Sequence, residues 1–90
     1  MFIDVYLPPG LPVDRDEIEE EFEELDGFEV VGAGVGEEGA NIDLEIDPSV
    51  PREAALREVV RILDNLGVAD RTRLRLSDTG ESVNAADLVG

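Results

Sequence analysis

The first seven residues, MFIDVYL, alternate with a period of two, which is typical of a half-buried β-strand. One face of this strand would carry Ile3, Val5 and Leu7. The other face would carry Phe2, Asp4 and Tyr6. The Pro-Pro-Gly segment that follows is a strong turn signal, so we predict that the strand ends at Leu7.

Residues 14–25 change to the period of an amphipathic helix. The apolar stripe has i, i+4 and i+7 spacing and consists of Ile18, Phe22 and Leu25. Asp14 and Glu17 fit a capping box in which an acid takes the place of Ser or Thr, and Gly27 suits the end of the helix.

Residues 28–48 alternate again and predict a β-hairpin that turns around Glu37 and Glu38. The expected register pairs Ala33 with Ile42, Val31 with Leu44, Gly32 with Asp43, and Gly34 with Asn41. In this register the apolar residues of both strands face the same core.

A second amphipathic helix follows, with Ser49 as its expected cap and Pro51 in its first turn. Gly67 would end this helix. Its apolar face consists of Leu56, Val59, Val60, Leu63 and Leu66.

A last alternating segment covers residues 71–77 and predicts another strand. One face would carry Thr72, Leu74 and Leu76. The other face would carry Arg71, Arg73 and Arg75. The segment SDTGES has turn chemistry, and the residues after it fit either a short return strand or a loose helical turn.

The element order predicts an α+β fold. The simplest solution resembles the ferredoxin-like βαββαβ architecture, a four-stranded antiparallel sheet of order 4-1-3-2 with both helices on one face. Residues 1–80 would form this single domain, and residues 81–90 a C-terminal tail or a short return strand. An architecture does not indicate a function, so function has to be argued from particular residues.

The composition excludes most catalytic chemistry. The chain has no Cys and no His, which excludes disulfides, thiol nucleophiles, typical zinc sites and the usual base at neutral pH. No apolar run is long enough for a membrane span, and the first residues lack the pattern of a secretion signal. We expect a cytoplasmic protein, or one that travels with a secreted partner, that binds no cofactor and no metal.

The charge is the most unusual property of the chain. It has 23 acids and seven cations, all of them Arg, and a net charge of -16. Such a charge repels nucleic acids and anionic lipids and attracts basic proteins. An acid excess without Lys also fits a GC-rich genome or a salt-adapted organism.

Three motifs suggest chemistry that their context does not support. Residues 34–39 match GxGxxG, but the next predicted element is a strand, whereas a dinucleotide site needs a helix there. Asp78-Thr79-Gly80 resembles the aspartic protease motif, but it lies ten residues from the end and fits a hairpin turn better. Asp43, Glu45 and Asp47 follow one strand face and suit weak cation binding only. We therefore predict a protein that is not an enzyme.

The predicted first helix concentrates acids. Residues 14–25 hold eight carboxylates and one cation. The helix dipole favours those near the amino terminus, but Glu19/Glu23 and Glu20/Glu24 are like-charged pairs four residues apart, which are unfavourable. Two interpretations remain open: a solvated helix face, or an acidic binding face.

The sheet face away from the helices would run from Arg71, Arg73 and Arg75, past Phe2 and Tyr6, to a glycine-rich edge strand. Ordinary solvated polarity explains this face, but a partner or a second copy would find aromatic anchors there. The glycines fit a bulge-prone edge, or an edge to which a partner adds a strand.

Our leading hypothesis is an acidic interaction protein of the immunity or antitoxin type, which masks the cationic surface of a basic partner such as a toxin or nuclease. The predicted partner-binding residues are Asp16, Glu20, Glu23, Glu24, Phe2, Tyr6, Asp43 and Glu45. The alternative hypothesis is a small regulatory or ligand-binding domain of a salt-adapted organism, forming a homodimer through the open sheet face. A plain fold that is acidic only because of a salty cytoplasm is a third hypothesis.

Overall fold

The computed structural model describes residues 1–11, 13–36 and 39–88. The strands are β1 (Phe2–Leu7), β2 (Phe28–Gly36), β3 (Gly39–Ile46), β4 (Arg73–Leu76) and β5 (Ser82–Asn84), and the helices are α1 (Arg15–Glu23) and α2 (Arg52–Asn65). Short 3-10 turns occupy Ala69–Arg71 and Ala85–Leu88. The strands form one antiparallel sheet of order β2-β3-β1-β4-β5. The predicted α+β class is confirmed.

The sheet has five strands instead of the predicted four, because residues 82–84, for which a short return strand was one of the two alternatives, extend it beyond β4. Gly80 adopts a φ of +74°, in the left-handed region that glycine tolerates best, and the chain reverses there. The amide of Leu76 then donates to the carbonyl oxygen of Glu81 at 2.9 Å. The last residues therefore return along β4, and Ala85 behind them is fully buried.

Both helices pack on one face of the sheet, and the core lies between the helices and the sheet. The core strand residues have the period-two spacing expected from the sequence, and Ile18, Phe22, Val59 and Leu63 pack on them from the helices. Within the described ranges, neither helix is long and apolar enough to cross a membrane. On the other face of the sheet, Phe2 and Tyr6 are exposed and Asp4, Asn41 and Asp43 are half-buried.

The helix starts differ from the capping predictions. α1 begins after Asp14, as expected, but the Asp14 side chain makes no capping bond, because its backbone carbonyl already accepts the Glu17 amide at 3.1 Å. α2 is preceded by Pro51 instead of Ser49. The Ser49 amide donates to Asp47 Oδ1 at 2.8 Å, which holds Ser49 in the turn before the helix.

The end of α2 agrees with the prediction. Gly67 has a φ of +75°, and its amide donates to the carbonyl of Asp64 while the Val68 amide donates to that of Leu63. These two bonds form a Schellman motif, which satisfies carbonyls that the helix end leaves free.

Two predicted strand positions need correction. Val31 does not pair with Leu44, because a β-bulge shifts the register and Val30 takes that place, which leaves Val31 48% exposed. The other predicted hairpin pairs are confirmed. Arg71 does not belong to β4: it ends a 3-10 turn, which is held by the bond from Thr72 Oγ1 to the Val68 carbonyl at 2.8 Å.

Candidate interaction surfaces

The predicted partner-binding residues lie on two opposite sides of the sheet. One group is on α1, within the helix layer, and consists of Asp16, Glu20, Glu23 and Glu24. The other group is on the open face of β1 and β3 and consists of Phe2, Tyr6, Asp43 and Glu45. The core separates the two groups, so a single flat interface cannot contain both. We call them the acidic helix surface and the open sheet surface.

The acidic helix surface carries mostly unpaired charge. Its one nearby cation, Arg15, contacts Asp16 Oδ1 at 3.3 Å and Glu19 Oε1 at 3.6 Å. Among the residues that the structure describes, no cation forms an ion pair with Glu20, Glu23 or Glu24, which are all exposed. These carboxylates remain available to an external cation.

The opposite end of the molecule holds most of the cations. α2 alone has three Arg and three acids, and ion pairs join Arg61 to Glu58 at 2.8 Å and Arg52 to Asp78 at 2.7 Å. Two further Arg residues lie on β4, at the far side of β1 from β2 and β3. The charge is therefore uneven over the surface, with the anionic excess on the side of α1.

The open sheet surface changes in character from one strand to the next. In one row across the sheet, Arg75 lies beside Asp4, Asp4 beside Asp43, and Asp43 beside Gly32. A second row runs from Arg73 through Tyr6 and Asn41 to Gly34. The predicted gradient from cations through aromatic residues to acids and glycines is confirmed, except for Arg71.

Asp4 and Asp43 form a like-charged pair in the middle of this surface. Partial burial raises the pKa of Asp4, and the hydrogen bond and charge repulsion from Asp43 raise it further, while Arg75 opposes the shift. Asn41 Nδ2 donates a hydrogen bond to Asp43 Oδ1 at 3.3 Å. Such a pair can share a proton. Within the described residues no group of three ligating side chains comes together to hold a metal ion.

The three motifs that resemble functional sites occupy ordinary structural positions. Gly34 and Gly36 lie in β2 and Gly39 begins β3, so no helix follows these glycines, and Glu37 and Glu38 fall outside the described residues. Asp78 lies in the β4–β5 turn and is paired with Arg52. Asp47 lies beyond β3, where bonds from the backbone and side chain of Ser49 lower its pKa.

Sequence reasoning proposed the glycine-rich edge of β2 as an edge for strand addition, but it missed the exposed valines and the cavity beside that edge. Val35 is 73% exposed, and Val31 stands out of the register at the bulge. A cavity of about 460 Å³ adjoins Val35, between β2 and the loop that leads into α1. Its lining includes Leu7, Leu11, Val13, Arg15, Val35 and Ala40. The available signal was the segment VVGAGVG, seven residues without a charge in a chain this acidic.

Comparisons with known proteins add no assignment to this geometry. No protein-family model matches the chain, and no curated protein is significantly similar to it.

Proposed function

We propose that this protein is a non-enzymatic interaction domain that binds a basic partner protein and masks its cationic surface, as immunity proteins and antitoxins do. The observation that carries the proposal is the acidic helix surface, on which the exposed carboxylates of Glu20, Glu23 and Glu24 lack ion-pair partners within the described residues. We further infer that the scaffold is a ferredoxin-like sandwich extended by β5.

The energetics of α1 support a role for its acids beyond solubility. Glu20 and Glu24 lie four residues apart, so each carboxylate repels the other by a few tenths of a kcal/mol. A Lys at either position would remove this cost. Because a cationic partner would turn the repulsion into attraction, the arrangement suits a bound state better than a free one.

The chemistry of the surface also restricts the partner. A net charge of -16 opposes nucleic acids and anionic membranes, whereas it accelerates encounter with a basic protein. The best fit is a protein whose own function requires a cationic site, such as an enzyme that holds phosphates. Its Lys and Arg residues would contact the acidic helix surface.

A second candidate function is a dimeric regulatory or ligand-binding domain. The open sheet surface favours it, because Phe2 and Tyr6 are 45% and 43% exposed in the centre of a face with cations on one side and acids on the other. A second copy turned about the direction of β1 would place its cations over the acids of the first.

A charge-reversal experiment tests the masking function. We would capture proteins from the source organism with the wild type and with the variant Glu20→Lys, Glu23→Lys, Glu24→Lys. The affinity of each for the captured basic protein is then measured after purification. We expect the variant to bind about a hundredfold more weakly, which corresponds to about 1 kcal/mol per reversed charge.

The control carries the same change of charge on the other helix, Glu53→Lys, Glu58→Lys, Asp64→Lys, and should bind as the wild type does. Equal loss in both variants would mean that only net charge matters. Unchanged binding by the α1 variant would refute the proposal.

A further inference from the structure

The outer edge of β2 offers a free row of backbone hydrogen-bonding groups. β2 has nine residues and, within the described chain, pairs only with β3. The Ile46 amide donates to the Met1 carbonyl at 2.8 Å, so the backbone amide and carbonyl of Ile46 point toward β1. Because these groups alternate in direction along a strand, those of Asp43 and Asn41 point toward β2. The amides and carbonyls of their partners on β2, Gly32 and Gly34, point toward β3. The amides and carbonyls of Ala33 and Val35 therefore face outward.

This edge lacks the usual protection against strand pairing. Natural sheets protect a long edge with Lys, Pro or inward charges, but no charged residue and no Pro lies between Val30 and Gly36. The only irregularity is the bulge at Val31, and the stretch beyond it is regular as far as Gly36. Residues 32–36 are thus suited to accept another strand.

The edge also lies between the two acidic surfaces. On the helix side, the strand that α1 packs against is β2. On the open side, a β-carbon added at Gly32 would lie 2.8 Å from Asp43 Oδ2, and one at Gly34 would lie 2.9 Å from Asn41 Oδ1. These oxygens therefore extend over the glycines toward the edge.

A strand added at this edge would direct alternate side chains to the two sides of the sheet. On one side they would meet the cavity beside Val35, whose lining includes Asp14 and Asp16 as well as apolar residues. On the other side they would meet Asp43 and Asn41 across the glycines. An added strand is thus the geometry by which one segment contacts both groups of acids.

We propose that the outer edge of β2 binds an extended segment of the basic partner, which pairs with Ala33 and Val35 as a sixth strand and directs Lys or Arg side chains to the acids on both sides. The proposal rests on the proposed function, since it specifies how the basic partner binds. A second copy of this chain suits the edge less well. Pairing of two β2 strands would bring two α1 helices to the same face and oppose their acids.

The probe is a nine-residue peptide in which Lys alternates with Val, matched in length to β2, so that all its Lys side chains meet the acids on one side of the sheet. We expect the Ala33 and Val35 amides of the labelled protein to exchange more slowly with solvent by about tenfold when peptide is bound. Ala33→Pro removes an outward amide without touching the bonds to β3, so it should weaken binding by a similar factor of about ten. Ala33→Val keeps the amide and should bind as the wild type does.

Modified peptides test the same backbone hydrogen bonds if the Ala33→Pro variant does not fold. Two further peptides are N-methylated, one at its Val and one at its Lys residues, and they keep the charge of the probe. Strand addition requires at least one of them to bind about tenfold more weakly, because alternate amides face β2. Equal binding of all three peptides would overturn the proposal.

The outcomes separate this proposal from the masking function. Peptide binding could be lost in the α1 charge-reversal variant and yet be unchanged by Ala33→Pro and by N-methylation. This outcome would refute strand addition and leave the masking function intact. No protection of Ala33 and Val35 at millimolar peptide would also refute strand addition, while partner capture would still test masking. Slow exchange of these amides in a peptide-free dimer would assign the edge to a second copy and overturn the proposed occupant.

Discussion

Asp4 shows how one residue carries the electrostatic cost of this surface. It lies between a carboxylate on β3 and a guanidinium on β4, and its pKa is raised by burial first and by Asp43 second, against the pull of Arg75. The folded chain therefore takes up a proton at Asp4 more readily than the unfolded chain does. By linkage, this site contributes stability as the pH falls toward the ordinary Asp value, and that contribution is lost as the pH rises through the raised pKa.

Replacement of Asp4 by Asn should remove this dependence. We expect Asp4→Asn to increase the free energy of unfolding near neutral pH by roughly 0.2–1 kcal/mol, the range for cross-strand pairs, because the repulsion from Asp43 is lost. The gain should shrink as the pH falls toward 4, which urea unfolding at several pH values would detect. Asp70→Asn, at an exposed position, is the matched control. A loss of stability at neutral pH would show that attraction to Arg75 outweighs repulsion from Asp43.

At the scale of elements, β5 shows that residues 82–84 belong to the folded sheet. It pairs with β4 through Leu74 and Val83, and its chain continues into Ala85, which is buried against the core. The carbonyl of Thr72 accepts the Ala85 amide at 2.9 Å, so the segment closes the sheet edge next to the Arg-bearing strand. That edge is occupied, whereas the β2 edge is free.

Truncation measures the contribution of this element. A chain ending at Gly80 should lose roughly 2–3 kcal/mol of unfolding free energy, because Val83 and Ala85 no longer bury their side chains and β4 becomes an edge. A chain ending at Leu88 is the control and should retain the stability of the full chain. Chemical denaturation compares the three chains, and equal midpoints would mean that β5 contributes nothing.

For the whole molecule, the balance of charge decides how stability responds to salt. Four ion pairs join the described residues, while 23 acids oppose seven cations over the chain. Screening weakens both attraction and repulsion between exposed charges, and here repulsion is in large excess.

We expect the free energy of unfolding to rise by roughly 1–2 kcal/mol between about 0.05 and 1 M sodium chloride. The Glu20→Lys, Glu23→Lys, Glu24→Lys variant has three fewer negative and three more positive charges, which changes the net charge from -16 to -10, and it should respond less. Identical responses would show that the acids of α1 do not contribute to the repulsion. Complete unfolding of the wild type at low salt would favour the salt-adapted alternative over a masking function.

The local pattern of the chain was sufficient to predict α1, α2 and the first four strands. Period-two and period-3.6 spacing are properties of neighbouring residues. Gly67 ends α2 because the residue after a helix often takes the left-handed conformation, which glycine adopts readily in any tertiary context. The acid concentration on α1 was visible for the same reason. Most pairs of the β2–β3 hairpin also followed, since alternation leaves few registers that bury one face.

The remaining features depend on contacts between residues distant in sequence. The bulge at Val31 is defined by the register of β2 against β3, and β5 by its pairing with β4. Above all, packing placed α1 and the open sheet surface on opposite sides of the core, so the predicted binding residues separated into two groups. A linear pattern records which side chains share one element. It does not record which elements share one side of the molecule, because burial of apolar surface between the layers determines that arrangement.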